Sequence, residues 1–204
     1  PTLTINGERT FAPHSSDSRA EPSLDIFYKI TPALNASFTL NTDFSATEVD
    51  DRQVNLTRFS LFFPEKRDFF LQDTDIFEFG RLGLRNFGSR FSRPLSENGR
   101  PFFSRKIGLS STGQPAELDV GGKLSGRIGR WNVGALAVQQ DEFEAVQAAD
   151  LFVGRATANI LQESNIGVII TNGDPRSNLG NSVLGTDFHY QNTRLSNGKV
   201  IEAD

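Results

Sequence analysis

The chain has 204 residues, long enough for one or two domains with a sizeable core. Hydrophobic residues make up 37% and Gly numbers 18, a balance that suits antiparallel β structure with polar faces and many turns better than a helical bundle. The formal charge of −4, without a basic stripe carrying interleaved aromatics, argues against a nucleic-acid partner, and zero Cys excludes disulfides, thiolate metal sites and Cys nucleophiles.

No apolar run approaches the roughly 18 residues of a membrane helix. That leaves a β-barrel open, because barrel strands leave a far weaker trace in sequence. Met is absent, including at position 1, so the chain reads as a piece of something longer.

In chain order, residues 1–23 are polar and turn-rich and read as a linker or lead-in. Residues 24–41 read as a first hairpin: "LDIFYKI", the turn "TPA", then "LNASFTLN". In the second strand Leu34, Ala36, Phe38 and Leu40 alternate with Asn35, Ser37, Thr39 and Asn41, the signature of a strand wet on one side only. Residues 42–116 hold no alternating run of strand length. Within them "EVDDRQVNLTRFSLFF" suits a short helix capped by Asp50 or Asp51 and stopped by Pro64. An irregular stretch this long is uncommon unless it is functional or packed inside a larger structure.

From residue 117 to 204 strand patterns resume in "ELDVGGKL", "RWNVGALAVQ", "DLFVGRATANI", "NIGVIIT", "SVLGTDFHYQN" and "KVIEAD", for about eight strands in all. Their connections alternate roughly short and long, "QES" against "NGDPRSNLGN", as in outer-membrane barrels. The outward faces of such a wall are Leu34/Ala36/Phe38/Leu40, Leu118/Val120, Phe152/Ala156/Ala158/Ile160 and Ile166/Val168/Ile170, with Arg155 and Asn159 on the polar side. A soluble β-sandwich would show the same faces turned towards a second sheet, and pattern alone weighs the two about evenly.

Eleven of the 18 Phe lie between Phe59 and Phe103, always beside charge. The stretch "FFPEKRDFF" supplies Phe62, Phe63, Pro64, Glu65, Lys66, Arg67, Phe69 and Phe70, and "PFFSRKIG" supplies Phe102 and Phe103. Charge is segregated: acids dominate from Asp43 to Glu78, and bases from Arg81 to Lys106. A wide barrel needs its lumen filled or left as a channel. The insert therefore reads first as a plug or lid, with its halves pairing with each other and with lumen residues. A second reading takes Arg81, Arg85, Arg90, Arg93, Arg100 and Arg105 as an anion-binding strip for polysaccharide or phosphate, although charge runs are usually solvated or internally paired.

Catalytic signals are weak. His14 and His189 have no evident partner, "GKLSG" lacks nucleophile-elbow spacing, and zinc lacks ligands. Glu48, Asp50, Glu65, Asp73 and Asp75 are the carboxylates open to a glycosidase-type pairing. "DTDIFE" lacks the glycine and ligand count of a calcium loop, so its acids read as caps or turn formers. No cofactor and no metal site is expected, and a catalytic role is not the favoured one.

The elements "NTDF", "EVDD", "VNLTRF", "FFPEKR", "FF" and "PFFSRKIG", followed by "GGKLSGRIGRWNVGALAVQ" and "ESNIGVIITN", resemble a family of uncharacterised outer-membrane-associated proteins of Gram-negative bacteria. In that family a carbohydrate-binding, family-nine-like module precedes a C-terminal β-barrel domain of unknown function, and some members carry the label membrane-associated hydrolase. Lys106 stands where the family's pattern has arginine. The resemblance spans Leu24 to Asp204 and tips the expectation to an all-β fold: antiparallel strands forming part of an outer-membrane-type barrel, with the Phe-rich insert as its plug. It implies a bacterial outer-membrane location, lipid as a partner, and a non-catalytic role in binding or passage of a glycan or other solute, or at the cell surface. A carboxylate-based hydrolase and a soluble β-sandwich interaction module are the rivals.

Overall fold

The computed structural model describes residues 2–11, 14–42, 65, 67–80, 100–108, 116–143, 145–195 and 198–204, with side chains from residue 23 onward. Strands dominate: β1 (Thr2–Phe11), β2 (His14–Thr31), β3 (Leu34–Thr42), β4 (Leu118–Ile128), β5 (Trp131–Gln140), β6 (Ala149–Ile160), β7 (Ser164–Asn172), β8 (Ser182–Asn192) and β9 (Ile201–Ala203). They form one sheet in sequence order, with every neighbouring pair antiparallel. β1 lies along the first half of β2 and β3 along the second. β1 and β9 are the edges, so the described residues form an open sheet and not a closed barrel.

Residues 1–23, expected as a linker, instead carry β1 and the start of β2, paired from Thr2↔Ser23 to Phe11↔His14. β4 runs past the expected strand "ELDVGGKL" to Ile128, and the chain reverses at Gly129–Arg130. Gly129 takes φ 61 there, a left-handed conformation natural to Gly. At the β6–β7 turn Leu161 and Gln162 carry the positive φ values that a tight hairpin demands.

Alternation places side chains as anticipated on β3 and β7 and over the first part of β6; Ala158, expected outward, is buried at 1% exposure, Asn159 is exposed, and β4 departs at Leu118. Leu118 was expected to face outward, yet it is fully buried in the core. The register slips between Leu118 and Val120, a bulge that carries Asp119 as its extra residue and breaks the period of two.

Between β3 and β4 the described part of the insert comprises a one-turn helix α1 (Asp68–Leu71) and two 3-10 turns, Thr74–Phe77 and Ser104–Lys106. The helix expected in "EVDDRQVNLTRFSLFF" lies outside the described residues. Phe69, Phe70, Phe77 and Ile107 pack with Leu118, Leu136, Val138, Leu151, Val153 and Ile169 into one core, with Ile76, Phe79 and Phe102 at its margin. Each buried Phe contributes about 1.5–3 kcal/mol. The core is therefore two layers, sheet and insert, on one face only.

The contact is close enough to require glycine. A Cβ on Gly134 would lie 2.8 Å from Ile76 Cγ2 and 2.9 Å from Phe77 Cζ. Gly134→Val should lower stability by about 1–3 kcal/mol through overpacking. Gly122→Val, on the opposite face where nothing lies within 4 Å of a Cβ, should leave the denaturant midpoint unchanged or slightly higher.

Candidate functional site

Arg67 joins the two Phe-rich motifs. Its Nε donates to Glu65 Oε1 and its Nη2 to Glu65 Oε2, both at 2.8 Å, while its backbone N–H reaches Oε1 at 3.0 Å. The same guanidinium donates to the carbonyls of Ile107 and, at 2.8 Å, Ser104. It also lies 4.3 Å from the centroid of the Phe70 ring. A planar fork of five donors does this; a lysine cannot. Burial pushes the Glu65 pKa up, but the hydrogen bonds and charge of Arg67, with a hydrogen bond from Ser104, outweigh it and hold the carboxyl below its ordinary value.

Three further anchors tie the insert to the sheet. Lys123 on β4 is buried and donates to the carbonyls of Phe69 and, at 2.7 Å, Gln72, capping the end of α1. Beside it Asp73 accepts from Ser125 Oγ at 2.6 Å and Asn35 Nδ2 at 3.1 Å. The Ser125 bond, aided by Asn35 and the Lys123 charge, keeps the Asp73 carboxyl below its usual range against the opposing effect of burial. On β6 and β8, Arg155 and Asp187 form a bidentate pair at 2.6 Å in both arms. Asp187 also accepts from the Gly80 backbone at 3.0 Å, and Arg155 lies 5.4 Å from the Phe79 ring. Gly167 on β7 leaves the room for this pair: a Cβ there would stand 2.5 Å from Asp187 Oδ1. Further along, Gln140 accepts from Gly108 N–H and donates to the Pro175 carbonyl, both at 2.9 Å.

Of the arginines proposed as an anion strip, Arg100 faces Glu78 at 3.4 Å and lies 5.7 Å from the Phe103 ring. Arg105 is half-buried, and that burial draws its pKa down. Arg81, Arg85, Arg90 and Arg93 lie outside the described residues. So do Phe62, Phe63, Pro64 and Lys66 of the motif, whereas Glu65 and Arg67 form the clamp, Phe69 and Phe70 lie in the core with Phe102 at its margin, and Phe103 lies beside Arg100. Of the carboxylates, Glu65 and Asp73 are engaged as described, Asp75 is exposed, and Glu48 and Asp50 lie outside the described residues.

The contacts of Lys123, Asp73, Arg155 with Asp187, and Gln140 were not anticipated. Their one legible signal was a charged or amide side chain on a strand's inward face. His189 was also read without a partner, yet its Nδ1 lies 2.6 Å from Asp204 Oδ1. His189, Glu202 and Asp204 bring one ligand atom each within 4.8 Å of one another, a small polar cluster at the β8–β9 edge.

Among the described residues nothing covers the other face of the sheet, and that face is apolar. Ile26, Tyr28 and Ile30 on β2, Phe38 and Leu40 on β3, Phe152 on β6, Ile166, Val168 and Ile170 on β7, and Leu184 and Phe188 on β8 are all exposed, Leu184 at 73%. Trp131, the single Trp, stands at the β4–β5 turn with the Arg130 guanidinium 5.6 Å from its ring. Apart from Trp131, these exposed side chains lie on five strands, β2, β3, β6, β7 and β8. No helix among the described residues is long and apolar enough to cross a membrane, a statement that does not bear on strands.

The chain is thus an all-β, antiparallel-sheet protein whose insert is latched to one face by buried ionic and amide contacts. It belongs to the family described as Domain of unknown function (DUF5916), whose model matches residues 5–130. The match takes in β1 to β4 and the whole insert. No curated protein and no solved structure matches the chain.

Arg67→Ala strands a buried carboxylate and should cost about 3–5 kcal/mol. The expected readout is a lower denaturant midpoint with faster tryptic cleavage after Arg105 and Lys106, and Arg67→Lys should rescue little. The clamp also sets a pH dependence. Because folded Glu65 titrates below its ordinary value of 4.5, the unfolded chain binds more protons in that acid window. Stability should therefore be complete above it and fall as pH drops through it, more steeply in the wild type than in Glu65→Gln.

Proposed function

We propose that the sheet is a section of an outer-membrane β-barrel wall, with its uncovered face against lipid and the Phe-rich insert on the lumen side as a plug. The observation that carries this reading is the contrast between the two faces. One exposes aliphatic and aromatic side chains on β2, β3, β6, β7 and β8, while the other, which exposes Phe27 beyond the insert's contacts, carries every anchor residue named above. Strand length agrees: β4 to β8 run to 9–12 residues, against the roughly 9–11 that a tilted strand needs to cross a bilayer. So does the rhythm of connections. From β2 to β8, Pro32–Ala33, Gly129–Arg130 and residues 161–163 turn tightly at one end, while residues 141–148, 173–181 and the insert connect strands at the other; residues 193–200, before β9, depart from this rhythm. Barrels of this class keep short turns on the periplasmic side and long loops outside.

The role we assign is non-catalytic: binding or passage of an extracellular glycan. The resemblance to proteins in which a carbohydrate-binding module precedes the barrel supports the solute class. Against a hydrolase, Glu65 and Asp73 already serve as structural acceptors. A β-sandwich, with a second sheet on the apolar face, is the competing outcome of the test.

The test is a charge in the apolar face. At the bilayer midplane a Lys on the lipid side of a barrel costs about 2–4 kcal/mol. Ile170→Lys, at an exposed site mid-strand on β7, should therefore remove the protein from the heat-resistant, membrane-assembled fraction. In vesicles of brominated phosphatidylcholine, Trp131 emission should be quenched. A protein that stays monodisperse without detergent, tolerates Ile170→Lys and shows water-exposed Trp131 emission would overturn the reading.

A further inference from the structure

The apolar face is not uniform. A groove of about 450 Å³ is sunk into it, lined by Ile26, Tyr28, Phe38 and Phe152 as walls and by Gly122, Ala135 and Ala137 as floor. Register explains its shape. Phe38, Gly122, Ala137 and Phe152 stand in one row across β3, β4, β5 and β6, so two small residues lie between two rings. The next row begins with Ala36 opposite Tyr28 and continues through Leu124, Ala135 and Gly154. The Lys123 side chain reaches the insert on the far side of the sheet, so its charge is not in the groove.

We propose that this groove is a binding site for an acyl chain of one phospholipid, held longer than the lipids around it. The proposal rests on the lipid-facing reading above and adds a particular site to it. Three observations select hydrocarbon as the occupant. The groove is continuous with the exposed band, its walls and floor are aliphatic or aromatic, and it presents one phenol, Tyr28, close to the β2–β3 turn. A ligand with polar groups along its length would lose hydrogen bonds here and regain none. Within a bilayer all chains are equally apolar, so selectivity comes from dispersion contact, which a concave site with a Gly/Ala floor increases on three sides of the guest. Trp131 and Arg130 at the short-turn rim suit the headgroup level, where amphipathic rings and cations settle. The lipid's head therefore points to the short-turn side, the phospholipid leaflet of an outer membrane.

The test fills the groove. Space above Gly122 is open, with nothing within 4 Å of a Cβ, so Gly122→Phe occupies it without displacing sheet or insert. The intact protein is reconstituted with phosphatidylcholine carrying a nitroxide near the chain terminus, and the motionally restricted component is read by electron paramagnetic resonance. Wild type should show a slowly exchanging component that Gly122→Phe abolishes and that Leu184→Phe, elsewhere on the same face, retains. Should Gly122→Phe assemble poorly, Ala137→Leu raises the same floor and should give the same loss. Trp131 quenching by brominated lipid should be equal in all variants. Persistence of the slow component in Gly122→Phe and Ala137→Leu, or its absence from wild type, overturns the groove while unchanged quenching leaves the lipid-facing reading intact. Loss of quenching in wild type overturns both.

Discussion

A single guanidinium holds the insert together. Arg67 satisfies the Glu65 carboxylate and the Ser104 and Ile107 carbonyls at once, and so binds the chain before residue 81 to the chain after residue 99. Phe70 lies under the same group, and its ring meets Phe69 edge-on at 5.0 Å. The aromatic layer that covers β4 to β7 is thus built round this joint. Arg100 facing Glu78 and Phe102 packed beside Phe77 make a second contact between the same two segments.

The anchors to the sheet follow the same logic. Lys123, Arg155 and Asp187 would each be an uncompensated charge on a buried strand face if the insert and its neighbours did not meet them. Apolar packing of Phe69, Phe70 and Phe77 supplies affinity, while the Lys123–carbonyl, Asp73–Ser125 and Asp187–Gly80 contacts define which placement is allowed. Since these contacts use up the polar capacity of one face, the other carries the aliphatic and aromatic residues of β2 to β8.

Period-two alternation made much of this visible in sequence. Leu34 to Leu40 and Ile166 to Ile170 lie on the faces that alternation assigns, and Arg155 points to the polar side. Alternation failed at Leu118, because a bulge adds a residue without leaving a local signature. It did not lead to the β1–β2 hairpin, because the polar, turn-rich composition of residues 1–23 outweighed it. The site was harder to read. Glu65 and Arg67 are two residues apart and sit in a motif that stands out, but their target carbonyls at 104 and 107 belong to the backbone, whose partners no residue type declares. Lys123 and Phe69 are 54 positions apart, and Asp187 and Gly80 are 107 apart; no periodicity links them.

That last separation has a consequence for how the fold closes. Joining Gly80 to Asp187 shuts a loop of 107 residues, an entropic cost that rises only slowly with length. Arg155 gains its carboxylate and Gly80 its acceptor from the same strand, so latching this stretch of the insert and docking β8 are one event.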